Sequence, residues 1–265
     1  VKKYPICVTI AGSDSCAGAG IQADLKTFQT LQCYGMSVIT ATTAQNHLAI
    51  NEMHPIPVTH VETQLNTLLD EYDVAAIKTG MFANAEQIES VTRILNNYAQ
   101  IPLIVDPVLG SSSGTEWESH TLVEAIKNLL LPRATMITPN FVEASRLFPD
   151  YSISDLQSIS ENTNTAILLK GGHGIDETTV TDSFINKNDV LTIRHERIST
   201  LNSHGTGCTL ASAIAANIAL GNDLQNSTKA AIDYVHQTLS NSRNYLHDSC
   251  KNELRNLPMN HTIKL

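Results

Sequence analysis

The sequence predicts one α/β domain, with a central, mainly parallel sheet covered by helices on both faces. Three observations point there. Short apolar runs alternate with amphipathic stretches along most of the chain, the pattern of successive strand–helix units. The 265 residues are 42% hydrophobic and 16% charged, enough apolar material for one sizeable core. No internal repeat and no low-complexity linker divides them, so residues 1–265 are expected to form a single domain.

The first apolar run, Ile6-Cys7-Val8-Thr9-Ile10-Ala11, reads as a buried strand ending at Gly12. Ile21, Leu25, Phe28 and Leu31 recur at helical spacing and mark a helix over 21–31. Ser37-Val38-Ile39-Thr40-Ala41 is the second strand. A helix follows over 59–71, where Thr59-x-x-Glu62 has the form of a capping box and Val61, Leu65, Leu68 and Leu69 share a face. Residues 74–78 form a short strand running into Thr79-Gly80, and Asn84-x-x-Gln87 opens a helix that buries Ile88, Val91, Ile94 and Leu95. Residues 101–105 are the most strand-like run of the chain. A helix over 121–131 is expected to stop at Pro132. Strands are expected at 135–137 and 166–169, with helices over 142–147 and 156–161 between them. Residues 180–198 read as a hairpin turning at Asn186-Lys187-Asn188-Asp189. Two long helices, 206–220 and 227–246, complete the pattern. Such sheets bind ligands at the carboxyl ends of their strands, so chemistry is expected in the loops after Ala11, Ala41, Lys78, Val105, Ile137 and Leu169.

A formal charge of −9 argues against a nucleic-acid binder that relies on a basic face. No run of 18 apolar residues exists, so no membrane span is expected. Val1-Lys2-Lys3-Tyr4-Pro5 lacks the long apolar stretch of a secretion signal. Cys7, Cys16, Cys33, Cys208 and Cys250 are odd in number and form no C-x-x-C pair, which fits neither a disulfide framework nor a zinc site. A reducing, cytoplasmic setting is expected.

Three motifs bear on chemistry. The first loop holds Gly18-Ala19-Gly20-Ile21-Gln22-Ala23, a loose match to the dinucleotide fingerprint. The fingerprint needs a tight strand-to-helix turn and an acidic end to the second strand; here the turn is long and that strand ends in Thr42-Thr43-Ala44-Gln45. The loop serves either close packing or close backbone approach to a compact ligand. Gly110-Ser111-Ser112-Ser113-Gly114 matches the nucleophile elbow of hydrolases, but no helical pattern follows at once. No glycine precedes a lysine, so a P-loop is excluded. The strongest segment is His204-Gly205-Thr206-Gly207-Cys208-Thr209, directly before a helix rich in small residues. Free amides at a helix N-terminus form an anion site when glycines allow close approach. A thiol in that first turn is expected to have a lowered pKa, as a proton acceptor or nucleophile.

Together these segments identify a resemblance. The chain is similar to the ribokinase-like superfamily, with its three-layer α/β/α fold, and within it to the hydroxymethylpyrimidine (phosphate) kinases of thiamine biosynthesis. The likeness rests on Thr9-Ile10-Ala11-Gly12-Ser13-Asp14, residues 17–28, Tyr34-Gly35, Ala44-Gln45-Asn46, Lys78-Thr79-Gly80-Met81, Asp106-Pro107-Val108, Thr138-Pro139-Asn140 with Glu143-Ala144, Leu169-Lys170-Gly171-Gly172-His173 and His204–Thr209. It implies a homodimeric, cytoplasmic kinase that uses ATP and Mg²⁺ to phosphorylate 4-amino-5-hydroxymethyl-2-methylpyrimidine and then its monophosphate. Carried over by position, Gln45 reads the pyrimidine edge, and Gly12, Asp24, Met81 and Val108 line the same pocket. Asn140 and Glu143 organise Mg²⁺ and phosphate, Glu143 through water, with Asp106 a second candidate near the metal. Lys170 and Gly172 lie near the ATP phosphates, and Asp182 near the nucleotide. Gly205, Thr206, Gly207 and Cys208 form the anion hole, with Cys208 at the place of a general base. His204 is expected to orient the loop, and His173 to serve loop structure or nucleotide contact.

Two departures stand out. The basic segment common after Asp-Pro-Val is replaced by Leu109-Gly110-Ser111-Ser112-Ser113-Gly114. The usual Gly-Pro-x-Asn-His near the C-terminus is Leu257-Pro258-Met259-Asn260-His261, a change not expected to touch the pocket. Pyridoxal kinase in the same fold, and a pyrimidine-binding sensor without turnover, are the other readings; Gln45-Asn46 favours the pyrimidine.

Overall fold

Residues 3–110, 120–172, 178–243 and 257–263 are described by a computed structural model of the chain. Among them, the apolar runs become strands of one sheet: β1 (Ile6–Asp14), β2 (Tyr34–Gln45), β3 (Ile50–Pro55), β4 (Val74–Thr79), β5 (Leu103–Val105), β6 (Met136–Ile137), β7 (Ala166–Leu169), β8 (Thr179–Asn186) and β9 (Asp189–Glu196). The order across the sheet is β3-β2-β1-β4-β5-β6-β7-β8-β9. The six strands from β2 to β7 in that order are parallel, and β3, β8 and β9 extend the edges antiparallel. Because β1 pairs with β2 on one side and β4 on the other, the order in which strands are added across the sheet reverses there. Such a switch point opens a crevice at the carboxyl ends of the strands.

The helices are α1 (Gly20–Thr30), α2 (Val58–Glu71), α3 (Ala85–Leu95), α4 (His120–Ala125), α5 (Leu131–Arg133), α6 (Phe141–Leu147), α7 (Ile153–Thr163), α8 (Thr206–Ala219) and α9 (Leu224–Ser240). Strand alternation divides them between two layers. On β5, Leu103 and Val105 join the core beneath α2, α3, α4, α6 and α7, while Ile104 faces α1, α8 and α9. On β7, Ile167 and Leu169 take the first side, Ala166 and Leu168 the second. Ala211, Ala213, Ala215 and Ala216 are fully buried on α8. Their small side chains let this helix lie close against both the sheet and its neighbouring helices.

Several elements differ from the sequence reading. β1 and β2 run past Ala11 and Ala41, because Ser13 and Asp14 pair with Thr42 and Thr43 beyond a bulge. β3 was not expected; its residues are mostly exposed, and it is held by antiparallel pairing to the end of β2. The Thr59–Glu62 capping box does not form: Pro57 is the N-cap of α2, and Glu62 instead bonds Ser90 and Arg93 of α3. The helix expected to stop at Pro132 ends one residue later, at Arg133. A π-helical turn over Ile126–Leu130 precedes the proline. Asn84 does cap α3, accepting from Gln87 N–H at 2.9 Å.

Candidate active site

A cavity of about 890 Å³ opens at the carboxyl ends of the parallel strands. One end is walled by Gly12, Gln45, Met81 and Val108. Gly12 keeps this wall thin: a Cβ there would meet Met81 Cε at 2.5 Å.

The loop after β1 is built around Asp14. Its carboxylate accepts N–H bonds from Cys16 at 2.9 Å, Gly18 at 3.0 Å and Ala19 at 2.9 Å, and His204 Nε2 lies 2.8 Å away. Burial pushes Asp14 up, but the His204 bond and the loop amides outweigh it and hold the carboxyl at about 2. His204 therefore ties this loop to the segment before α8, as expected of an orienting residue. Close packing seals the junction. Gly205 adopts φ +83°, and a Cβ there would lie 1.9 Å from Gly18 O. The glycines of the first loop thus serve packing at Gly18 and the cavity wall at Gly12.

The middle of the cavity combines the start of α8 with three charged side chains. Gly205, Thr206, Gly207 and Cys208 line it, and the first-turn amides of a helix carry no i−4 partner. Lys170, just past β7, has its Nζ 3.1 Å from Asp106 Oδ1 and 3.7 Å from Glu143 Oε2. Burial works against the charge on Lys170, yet Asp106 and Glu143 hold its pKa above the usual lysine value. Asn140 and Glu143 form the capping box of α6: Asn140 Oδ1 accepts from Glu143 N–H at 2.9 Å, and Glu143 Oε2 from Asn140 N–H at 2.8 Å. Burial raises the Glu143 pKa, and Lys170 opposes the rise. The Asp106 and Glu143 carboxylates supply oxygen atoms of the kind that a hard divalent cation takes together with waters.

The far end is walled by Gly172, Asp182, His195 and the α9 residues Val235, His236 and Leu239. Asp182 Oδ1 accepts from Gly171 N–H at 2.7 Å, and Oδ2 lies 3.2 Å from His195 Nε2. That bond raises the His195 pKa.

Two expectations are overturned. Asp24 does not line the cavity. It is fully buried behind the wall, where Thr9 Oγ1 donates at 2.6 Å, Lys78 Nζ at 2.9 Å and Ser212 Oγ at 2.7 Å. Cys208 does line the cavity, but its pKa is not lowered. Burial pushes the thiol up to about 12; Lys78 pulls it down, Asp24 and Asp106 push it further up, and an N–H bond from Gly20 does not restore it. The helix N-terminus is outweighed by desolvation. Ser111 to Gly114 and His173 lie outside the described residues. So does Cys250; among the described residues Cys7, Cys16, Cys33 and Cys208 are free.

The sequence reading missed Lys78 and Asp14 as organisers of the site. Lys78 had a signal: a lysine inside the apolar run of β4 must find a buried acid. The tail behaves as expected in one respect and not another. It does not line the cavity, but Leu257 O accepts from His204 N–H at 3.1 Å, and His261 Nε2 lies 2.9 Å from Thr209 Oγ1.

Comparison with known proteins matches residues 14–251 to the family described as phosphomethylpyrimidine kinase. A relative from Bacillus subtilis, a hydroxymethylpyrimidine/phosphomethylpyrimidine kinase, is 38% identical over 89% of this chain and 89% of its own. The crystal structure of a phosphomethylpyrimidine kinase from Clostridium difficile superposes with a TM-score of 0.76 at 33% identity, covering 88% of this chain and 98% of that one. The structure of a Staphylococcus aureus pyridoxal kinase with AMP-PCP superposes with a TM-score of 0.83 at 31% identity, over 94% of this chain and 92% of that one. Among the described residues, no helix is long and apolar enough to cross a membrane.

Proposed function

The chain belongs to the phosphomethylpyrimidine kinase family and is an ATP-using phosphotransferase of ribokinase-like fold; from that premise we propose that it phosphorylates the hydroxymethyl group of 4-amino-5-hydroxymethyl-2-methylpyrimidine, and then the resulting monophosphate, in thiamine biosynthesis. One observation carries the reading. A single cavity joins the Gln45, Met81 and Val108 wall to the Lys170, Asp106 and Glu143 cluster, with the start of α8 between them.

In this reading the pyrimidine lies against Met81 and Val108. The Gln45 amide, which both donates and accepts, pairs with the ring nitrogen and its neighbouring amino group. The hydroxymethyl oxygen then faces the first turn of α8. Asn140, Glu143 and Lys170 hold the triphosphate end of ATP, and the Asp182 and α9 wall takes the nucleoside. Asp106 and Glu143 would hold Mg²⁺, Glu143 through water; bound there, the ion neutralises charge on the phosphates. The amides of Gly205, Gly207 and Cys208 and the Lys170 ammonium stabilise the charge on the transferring phosphoryl group, which is the main task of such a site, while the Thr206 N–H is held by Ser203 O at 3.3 Å. With its thiol at about 12, Cys208 is protonated at neutral pH. It shapes the anion hole, and the alcohol proton leaves late, passing to an oxygen of the transferred phosphoryl group as the bond to ADP breaks, in keeping with a loose transition state. A homodimer in the cytoplasm completes the proposal.

Pyridoxal is the second reading, favoured by the superposition on a pyridoxal kinase. Purified protein with MgATP, given the hydroxymethylpyrimidine or pyridoxal and assayed for ADP and product, separates the two. Strong preference for the pyrimidine is expected; preference for pyridoxal would overturn the substrate assignment. Gln45→Ala should raise the KM for the pyrimidine at least tenfold and leave the KM for ATP within about twofold. Equal loss of both would remove Gln45 from substrate reading.

A further inference from the structure

His204 stands where two loops and the substrate wall meet. Its Nε2 lies 2.8 Å from Asp14 Oδ2 and 3.2 Å from the end of the Gln45 amide. An ionised carboxylate only accepts hydrogen bonds, and two acceptors repel at 2.8 Å. His204 Nε2 therefore carries a hydrogen. This holds whether the ring is neutral or charged.

That hydrogen decides how Gln45 is turned. A rotation of 180° about the last side-chain bond exchanges Oε1 and Nε2 with almost no change in shape, so the surrounding bonds choose between them. With Nε2 toward His204, one N–H faces another. The Thr43 hydroxyl, 3.3 Å from the other amide atom and 3.0 Å from Ser13 O, would then have two acceptors for one hydrogen. With Oε1 toward His204, all these groups are satisfied. His204 Nε2–H is shared between Asp14 and Gln45 Oε1, Gln45 Nε2 donates to Thr43 Oγ1, and Thr43 donates to Ser13 O. The chain Asp14–His204–Gln45–Thr43–Ser13 has one consistent direction.

The geometry points to His204 as a specificity-determining positioning residue, which holds Gln45 Oε1 through its Nε2–H and so fixes which edge of a bound ring meets the acceptor and which the donor. The inference rests on the reading of Gln45 as the pyrimidine selector. A 4-aminopyrimidine presents an amino donor beside a ring-nitrogen acceptor; its 4-oxo analogue presents a carbonyl acceptor beside a ring N–H. A fixed amide separates them, whereas a freely turning amide pairs with either. The same residue leads into the anion hole at Gly205, and its own N–H is held by Leu257 O at 3.1 Å. Substrate selection and phosphate binding therefore share one anchor.

The test is the ratio of kcat/KM for the 4-amino substrate to that for its 4-oxo analogue, in four variants. His204→Phe keeps the ring and removes the donor; the ratio should fall at least tenfold, with the KM for ATP changed less than threefold. His204→Gln can still present an N–H where Nε2 was, and should keep the ratio within about threefold. Thr43→Val removes the acceptor at the other end of the amide and should lower the ratio several-fold, which decides the matter if His204→Phe does not fold. An unchanged ratio in Thr43→Val and in folded His204→Phe would overturn the proposal. Gln45→Ala is the control on the premise: a ratio that it leaves untouched would overturn the role of Gln45 itself, whatever the other variants do.

Discussion

Cys208 and His261 show how strongly position governs a side chain's chemistry. Cys208 stands in the first turn of α8, where a thiolate is favoured, yet burial of the thiol and the nearby Asp24 and Asp106 carboxylates push its pKa up to about 12. Its alkylation by iodoacetamide, followed by mass spectrometry of the Cys208 peptide, should therefore rise about tenfold per pH unit from pH 7 to 9. A plateau near neutral pH would mean a low thiol pKa and restore the base role. His261 is buried, and its pKa falls to about 4: burial lowers it first, and the charge of Lys26 adds to that. The unfolded chain takes up a proton near pH 6.5 and the folded chain does not until about 4. Stability from this residue is complete above pH 6.5 and is lost on acidification toward pH 4, by roughly 3 kcal/mol. Urea titrations between pH 7.5 and 5 should show that slope in the parent protein and a flatter one in His261→Gln. Residue identities were legible where a motif fixes them: Gln45, Lys170 and Glu143 all reach the cavity. Asp24 shows the limit. It falls on the Ile21–Leu25–Phe28 face of α1, so its burial was readable, but its partner, Lys78, comes from a strand 54 positions away.

That ion pair joins three elements, because α1 carries Asp24, β4 carries Lys78 and α8 carries Ser212. Burial opposes the charge on Lys78, and Asp24 holds its pKa above the usual value. Removing one partner leaves the other charge buried, so Lys78→Met should cost about 3–5 kcal/mol in chemical denaturation. A loss under 1 kcal/mol would mean that Thr9 and Ser212 alone can satisfy Asp24. The start of α8 is equally exposed to change. Gly205→Ala puts a Cβ against Gly18 O in a left-handed backbone conformation. It should lower kcat at least a hundredfold and destabilise by more than 1 kcal/mol; ordinary activity would show that the two loops can part. Long amphipathic elements were readable because a period repeats over several turns. β3 was not, since Asn51-Glu52-Met53-His54 lacks an apolar face and exists as a strand only through its pairing with β2. The π-helical turn was equally hidden: Pro132 signals the stop that comes one residue later, and no residue pattern marks the wider turn over Ile126–Leu130 before it.

For the molecule as a whole, alternation of strand and helix sufficed to read a parallel sheet between two helical layers. Which loops would meet was not readable, since that follows from the strand order, and β1 alone brings its own loop beside those of both β2 and β4. The cavity draws on nearly every crossover of the sheet, so its occupants stabilise the entire fold. MgATP at about a hundred times its Kd should add about 2.7 kcal/mol to stability, and a saturating pyrimidine a comparable further amount. Thermal shifts for each ligand alone and for both would measure this; a shift from neither would place the binding surface elsewhere. The strand order also sets a sequence of events in biogenesis. β1 emerges from the ribosome before the other strands and lies well inside the sheet, with β2 and β3 added on one flank and β4 to β9 on the other as translation proceeds. The anion hole at Gly205 comes out long after its companion loop at Gly18. Its last fastening, Leu257 against Leu201 and His204, must wait several seconds more at about 5–20 residues per second. A nascent chain stalled before residue 257 would thus hold a nearly complete sheet with its phosphate site still unbraced.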